Sequence, residues 1–430
     1  MKNPPEITAI VTRSGLSSNP ASVLSAGVRP DETLLVGLVL DGRRVAWGKC
    51  VPRPRTPFGA VERQYPGPFL AAEAAAAIQA HMAPLLVGKP LAQFRPLAAA
   101  LDTLTETVTI EPDVVAAEKE EEAVVYSRRA LFTGQSGRVR SQPPPATEKK
   151  NITRPVHPAI RQGVSQALLA AVAMAGDTSA SAVLAAEYGE EPAGAPIPIQ
   201  IAIQKGQSLA LYPQVGALSY AAGGEDPEKE FGDDAGKLQR FVRLLSDRVA
   251  AAMPRPPLIV LDVQGGLGRL YGNEPASMGK ILGVLYGLEQ AAQPCPLCVQ
   301  DPVLLEDPAG QVTALRKLRE YVQMRRMSMQ IAAGEWMHNR EHLHRCLNEK
   351  AVDSVFIALP ALGTLDRVMR MAQRCRDHGV EVVLGGGPVT ALVPVALATN
   401  AGRVAVPPHL PAGAGVTTLY EEMIRETTQF

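Results

Sequence analysis

Neither sign of charge is in excess: Lys and Arg number 43, Asp and Glu number 43, and the formal net charge is zero. That balance argues against a general nucleic-acid or anionic-membrane surface. Long apolar runs are also missing. No uninterrupted stretch reaches the roughly 20 residues of a membrane helix; Val124-Val125, for instance, stand among charges. The N-terminus lacks a basic segment followed by an apolar core, so no signal peptide is expected. Cysteine is sparse and odd in number, with Cys50, Cys295, Cys298, Cys346 and Cys375. Such a set implies reduced thiols in a cytosolic protein rather than a disulfide framework. What is plentiful is apolar residues, 46% of 430 positions. That suffices for a large core and exceeds one ordinary domain. An α/β barrel takes about 250 residues, which leaves room for a second domain.

The organising stretch is Leu258-Ile-Val-Leu-Asp262-Val-Gln-Gly-Gly-Leu-Gly268. An apolar run of strand length ends at Asp262 and breaks into a glycine-rich loop. Three later segments repeat the plan: Leu297–Asp301 ends in Gln-Asp-Pro, Met329–Glu335 in Gly-Glu-Trp, and Asp353–Leu359 in Ala-Leu-Pro. Apolar strands ending in polar residues and alternating with helices are the pattern of a parallel barrel with its chemistry at the strands' C-terminal ends. The eight strands are predicted at Ile197–Gln204, Ser208–Pro213, Leu258–Val263, Leu297–Asp301, Met329–Glu335, Asp353–Leu359, Val380–Leu384 and Arg403–Val406. Helices over 235–253, 276–292, 312–326 and 363–378 would form the outer ring.

In front of the barrel, residues 6–12 and 34–48 read as strands, the second folding back as a hairpin at Asp41-Gly42. Residues 70–102 have helical spacing broken at Gly88-Lys-Pro90. These make an α+β domain. Residues 104–155 differ, with an acidic run at Glu118–Glu122, then Arg128, Arg129, Arg138 and Arg140, and three prolines at 143–145. Such composition makes a solvated, partly mobile excursion. The sharper reading is an arm gripping a second subunit or a partner protein.

Four local motifs carry chemistry in principle. Cys295-Pro-Leu-Cys298 has redox or half-zinc spacing, but it has no second pair and enters a strand, so buried structural thiols are expected. His338, His342 and Cys346 are four apart and would line one helix face, as zinc ligands or as a packed outer face. Gly385-Gly386-Gly387, with Gly413 and Gly415, could bind phosphate through backbone amides or allow close packing at the mouth. Gly265-Gly266-Leu-Gly268 lacks the downstream acidic residue of a dinucleotide fingerprint.

The ordered series from the hairpin at Leu34–Cys50 through Arg63-Gln64-Tyr65, His157-Pro-Ala-Ile-Arg-Gln-Gly-Val-Ser-Gln-Ala-Leu-Leu, Asp262-Val-Gln-Gly, Asp301-Pro, Gly334-Glu-Trp, Leu359-Pro-Ala-Leu-Gly and Leu384-Gly-Gly-Gly resembles the methylaspartate ammonia-lyases of the enolase superfamily. The likeness covers nearly everything except residues 104–155. It implies an α+β capping domain over residues 1–160 and a modified (β/α)8 barrel over 161–430, usually a homodimer. It also implies Mg2+-assisted removal of a proton beside a carboxylate, with loss of ammonia. Such a proton is weakly acidic, so cationic stabilisation and a positioned base are both needed.

The resemblance places the family's metal carboxylates after the third, fourth and fifth strands. Asp262 matches the first. Asp301 stands where a Glu is expected. The third position is Gly334, with Glu335 adjacent and pointing inward only if the strand end twists. The base expected on the sixth strand, a Lys, is Ala358 here. A His expected after the second strand falls near Gly216 or Gln214. Gln204 and Gln64 match substrate-binding amides, and Gly386 and Gly387 occupy the substrate loop after the seventh strand. Lys205, beside Gln204, is the candidate replacement base if burial lowers its pKa; the plain alternative is a solvated lysine. Two readings follow. One is an enzyme of altered chemistry binding a small, amino-acid-like carboxylate with Mg2+ on Asp262, Asp301 and Glu335. The other is a catalytically silent enolase-fold subunit that serves a partner.

Overall fold

The computed structural model describes residues 4–14, 33–52, 65, 69–110, 150–203, 215–222, 226–273, 277–406 and 412–428. The chain divides into two compact units, one made of Met1–Leu104 with His157–Phe430 and the other of Thr105–Val156.

The first unit begins with an antiparallel sheet of β1 (Ile7–Ser14), β2 (Leu34–Leu40) and β3 (Arg44–Cys50). The β2–β3 turn spans Asp41–Arg43, where Asp41 and Gly42 both take positive φ, 50° and 66°, and the Arg43 amide donates to Leu40 O at 3.0 Å. Alternation then puts Leu34, Val36, Leu38 and Leu40 on one face, all buried. That face receives the helix Pro158–Gly176. Pro at its first position and the His157 ring, whose Nδ1 accepts from the Ala159 amide at 3.1 Å, fix where it starts. The expected domain boundary at 160/161 lies inside this helix. The helix reaches both ways: Gln166 Oε1 accepts from the Lys49 amide at 3.0 Å, and its Nε2 donates to Thr390 Oγ1 at 2.5 Å. A helical run at Ala71–Ala77, Ile78–Met82 and Ala83–Leu86 is separated from Arg95–Asp102 at the expected Gly-Lys-Pro break.

The rest of the unit is a closed barrel of eight parallel strands. They are β6 (Ile199–Ala202), β7 (Val215–Ala221), β8 (Leu258–Asp262), β9 (Leu297–Gln300), β10 (Met329–Ala333), β11 (Ser354–Ala358), β12 (Glu381–Gly385) and β13 (Arg403–Val406). The helices Gly236–Ala252, Met278–Ala292, Pro308–Met324 and Leu365–Asp377 lie within about four residues of their predicted bounds. Ala217, Val260, Cys298 and Ala332 form a buried cluster. Arg403, also buried, donates to both carboxylate oxygens of Glu381 at 3.0 Å and to Gln200 Oε1 at 3.2 Å. These contacts fix which residues of each strand face inward. Two or four residues further along these strands, toward the C-terminal mouth, the same face carries Asp262, Gln300, Gly334, Ala358 and Gly385.

Two expectations are corrected. The second barrel strand is β7, not Ser208–Pro213, a stretch that lies outside the described residues. Pro213 would have cost that strand a ladder donor, and β7 was missed because Val-Gly-Ala-Leu-Ser-Tyr-Ala is rich in small residues that look like a loop. The glycine-rich segment after Asp262 is not a loop throughout, because a short helix, Gly266–Tyr271, starts within it. Gly413 and Gly415 lie inside the helix Ala412–Thr428.

In the second unit, β4 (Thr105–Ile110) pairs antiparallel with β5 (Lys150–Pro155). An ion pair between Arg154 and Glu106 at 2.8 Å spans them. The charged and proline-rich part of the expected excursion, 111–149, lies outside the described residues. Among the described residues no single helix is long and apolar enough to cross a membrane.

Sheet and helix touch where two glycines meet. A Cβ on Gly48 would stand 2.0 Å from Gly163 O and 2.7 Å from Ala167 N, backbone atoms that cannot give way locally. Gly48→Ala is therefore expected to cost about 3 kcal/mol in urea unfolding. A loss below about 0.5 kcal/mol would show that the helix moves freely off β3.

Candidate active site at the barrel mouth

Asp262 ends β8 on the inner face, and Gln300 is its partner across the β8–β9 ladder. Parallel neighbours in register point the same way, so Gln300, 9% exposed, shares the mouth with Asp262. Asp301, the next residue, would point outward by alternation. It does not, because it leaves the strand at φ 48°, a left-handed conformation that Asp tolerates better than most residues. Its amide donates to Ala332 O at 3.0 Å, which anchors the turn.

The Asp301 carboxylate is almost fully buried. Both its oxygens accept from the Gly334 amide at 3.1 Å, and Oδ2 accepts from the Glu335 amide at 3.2 Å. Burial pushes its pKa up to about 8, the charge of Asp262 adds to the rise, and Glu335 adds less; the two amides pull the other way. The acidic groups where β8, β9 and β10 end thus repel one another, which favours the protonated form of Asp301.

Glu335 is the first residue of a 3-10 turn, Glu335–His338, and is 6% exposed. At Gly334 the backbone turns out of the extended conformation, with ψ −47°, so strand alternation no longer governs Glu335. Gly334 has little spare room: a Cβ there would lie 2.7 Å from Gln300 Nε2 and 3.1 Å from Asp301 Oδ2. Among the described residues no group of three or more His, Cys, Asp or Glu side chains is placed to hold a metal ion. The three carboxylates feel one another without forming a three-point cage. Asp262 and Asp301 still suit Mg2+ held by two carboxylates, because a hard cation offsets the repulsion that raises Asp301 and takes its other oxygens from water or ligand.

Ala358 ends β11 on the inner face, in register with Gly385. A Cβ on Gly386 would sit 3.5 Å from the Ala358 methyl, and one on Gly387 would sit 3.1 Å from Leu359 Cδ2. The glycine loop after the seventh strand therefore lies against the end of the sixth. Gly386 also takes φ 75°, which favours glycine.

The other candidates separate. Gln64, Gln204, Lys205 and Gln214 lie outside the described residues. Gly216 is the second residue of β7, with its Cβ direction 2.8 Å from Pro198 Cβ. It is at the start of the second strand, not after it, and the correction follows from the shifted strand. His338 belongs to the 3-10 turn, while the helix carrying His342 and Cys346 starts at Arg340 under an Asn339 cap. The four-residue spacing is thus broken at its first step. Cys346 is buried and its thiol is pushed up to about 12 by burial; Cys298 is pushed up to about 11 for the same cause. Such thiols are poor nucleophiles. Gln300 was not singled out from sequence, although counting two residues on from Cys298 along an inward-facing strand points to it.

A capping sheet ahead of a closed parallel barrel, with carboxylates at the strand ends, is an enolase-superfamily architecture. A sequence model described as "Methylaspartate ammonia-lyase C-terminus" matches residues 218–430. Methylaspartate ammonia-lyase 2 of Carboxydothermus hydrogenoformans is 28% identical over 408 residues, 92% of this chain and 85% of that protein. The Haloarcula marismortui methylaspartate ammonia-lyase is 30% identical over 280 residues, 63% of this chain and 66% of that one. In fold, the Citrobacter amalonaticus methylaspartate ammonia lyase, solved with (2S,3S)-3-methylaspartic acid, superposes with a TM-score of 0.75 at 22% identity, covering 98% of this chain and 99% of that one. The chain is a methylaspartate ammonia-lyase-like member of the enolase superfamily.

A third carboxylate at position 334 sharpens the electrostatic account. Gly334→Asp displaces the Gln300 amide, the movable end of a flexible side chain, and adds charge to a crowded site. In metal-free buffer it is expected to lower Tm by ~2–4 °C, and added Mg2+ should recover that loss. An unchanged Tm in both conditions would mean that the three strand ends do not share one electrostatic site.

Proposed function

We propose that the chain binds a small, amino-acid-like carboxylate at the barrel mouth and does not carry out the family's standard methylaspartate deamination. The observation that carries this reading is the pairing on one inner face of a retained acidic end, Asp262 with Asp301, and a sixth strand that ends in Ala358. Mg2+ would be held by Asp262 and Asp301, with Glu335 within electrostatic reach. When bound, it would supply the charge that steadies a ligand carboxylate. Gln300, Gln204 and Gln64 orient the ligand through amide hydrogen bonds, and the Gly386–Gly387 backbone lets it approach closely. A methyl group accepts no proton, so any carbon acid chemistry draws its base from elsewhere. Lys205, three residues past the end of β6, is the amine we assign to that role. We place the protein in the cytoplasm, on the strength of its five unpaired, buried cysteines. A homodimer or larger oligomer is the assembly we expect from the family resemblance.

A second reading rests on the same end of β11. With Ala358 and Gly334 in the mouth, the barrel would be a catalytically silent subunit acting on a partner, with the segment between β4 and β5 as its grip.

Metal analysis of the purified protein, with an ammonia-release assay on (2S,3S)-3-methylaspartate and related amino-dicarboxylates, separates these. The first reading expects bound Mg2+ that Asp262→Asn removes, a saturable carboxylate ligand, and no ammonia from 3-methylaspartate. Ammonia release with kcat of ~1 s⁻¹ or more would overturn the altered-chemistry proposal. Absence of metal and ligand binding together would leave the silent subunit.

A further inference from the structure

Away from the mouth's interior, two outer helices, Arg340–Asn348 and Leu365–Asp377, border a cavity of about 550 Å3. Five arginines line it: Arg340, Arg367, Arg370, Arg374 and Arg376. Three acids stand against them, Asp102, Glu190 and Asp377. A second cavity of about 580 Å3 shares Arg340 and Arg374 and adds Arg345, with Glu341 and Glu349 beside them. In a chain with no net charge, this is a local excess of guanidinium groups.

Two of these acids are already in use, and Asp377 alone is left to offset the remaining arginines. Asp102 takes Arg161 at 2.8 Å, the Thr364 hydroxyl at 2.6 Å and Arg370 at 3.7 Å. Glu190 pairs with Arg376, and Arg370 also pairs with the buried Asp366. Among the described residues Arg340, Arg367 and Arg374 have no ion-pair partner. Arg367 is half-buried, and burial lowers its pKa; Asp102 raises it, and the nearby guanidinium groups of Arg161, Arg370 and Arg340 lower it further. Arg340 is the first residue of its helix and Arg367 the third of its own, the ends where the helix dipole disfavours a cation. Folding alone gives no reason to collect cations there. An anion among these side chains would offset the repulsion between the guanidinium groups and engage their forks.

We infer that this groove binds a small polyanion, a molecule bearing two or more phosphate or carboxylate groups, at a site separate from the barrel interior. The volume suits a metabolite-sized ligand. The spread from Arg340 and Arg367 to Arg374 and Arg376, along more than two helical turns, calls for several anionic groups rather than one. The site adjoins the chain just after the Glu335–His338 turn and just after the loop that follows Ala358, so its occupant would brace two of the loops that shape the mouth.

The test is calorimetric titration of the full chain, in metal-free buffer at matched ionic strength, with inorganic pyrophosphate and separately with citrate. Saturable binding with a Kd of ~1 mM or tighter is expected for at least one of them. The preferred probe assigns the class, phosphate or carboxylate. The double variant Arg340→Gln/Arg374→Gln removes two groups without ion pairs and should weaken binding roughly tenfold or more while leaving Tm nearly unchanged. Arg325→Gln, on the Tyr321 ring and outside the groove, should bind as the parent does. Binding of neither probe at ~10 mM, or equal binding by the parent and the double variant, would overturn the inference.

Discussion

The Arg403 guanidinium, held between Glu381 and Gln200, is the contact on which the arrangement of the mouth rests. A buried charge is tolerable only with its partners in place. A slip of one residue in β13, β12 or β6 would put arginine or glutamate into the wall of the barrel instead of its interior. Closure carries that setting around all eight strands. Which residues face inward at the C-terminal end is then decided at the other end: Asp262, Gln300, Gly334, Ala358 and Gly385.

Those five residues explain the electrostatic character of the site. One acid faces in by alternation, and a second, Asp301, reaches the same place only by a left-handed turn and the amides of Gly334 and Glu335. The amides hold its carboxylate, yet burial and Asp262 outweigh them and raise its pKa to about 8. The opposite side of the mouth is apolar and small, with Ala358 against the Gly386 loop. We propose that a mouth of this kind gathers a cation and a carboxylate, but the sixth strand brings no amine to it. The relatives named above are ammonia-lyases, and shared ancestry accounts for the frame without dictating the chemistry.

Much of the fold was legible because the barrel strands are apolar runs with clear ends and the intervening helices have apolar spacing. Leu258–Asp262 and Arg403–Val406 are the plainest cases. The second strand was not legible, because Ala217 and Ser219 line a narrow barrel with small side chains and, with Gly216, mimic loop composition. At the site, Asp262 could be read directly. Asp301 and Glu335 reach the mouth by backbone turns at 301 and 334 that no residue pattern announces, and the alternation rule that would have excluded them instead points to Gln300. The arginine groove was invisible for a different reason: Arg340 and Arg367 lie on two separate outer helices, which only the folded barrel sets side by side.

A crystal structure grown with Mn2+ as an anomalous stand-in for Mg2+ addresses the central claim most directly. The account predicts an anomalous peak bridging Asp262 and Asp301, with the Ala358 methyl turned toward the same space and no amine arriving from the sixth strand. A peak ligated elsewhere, or an Asp262 carboxylate turned out of the barrel with another acid and an amine converging in its place, would contradict it.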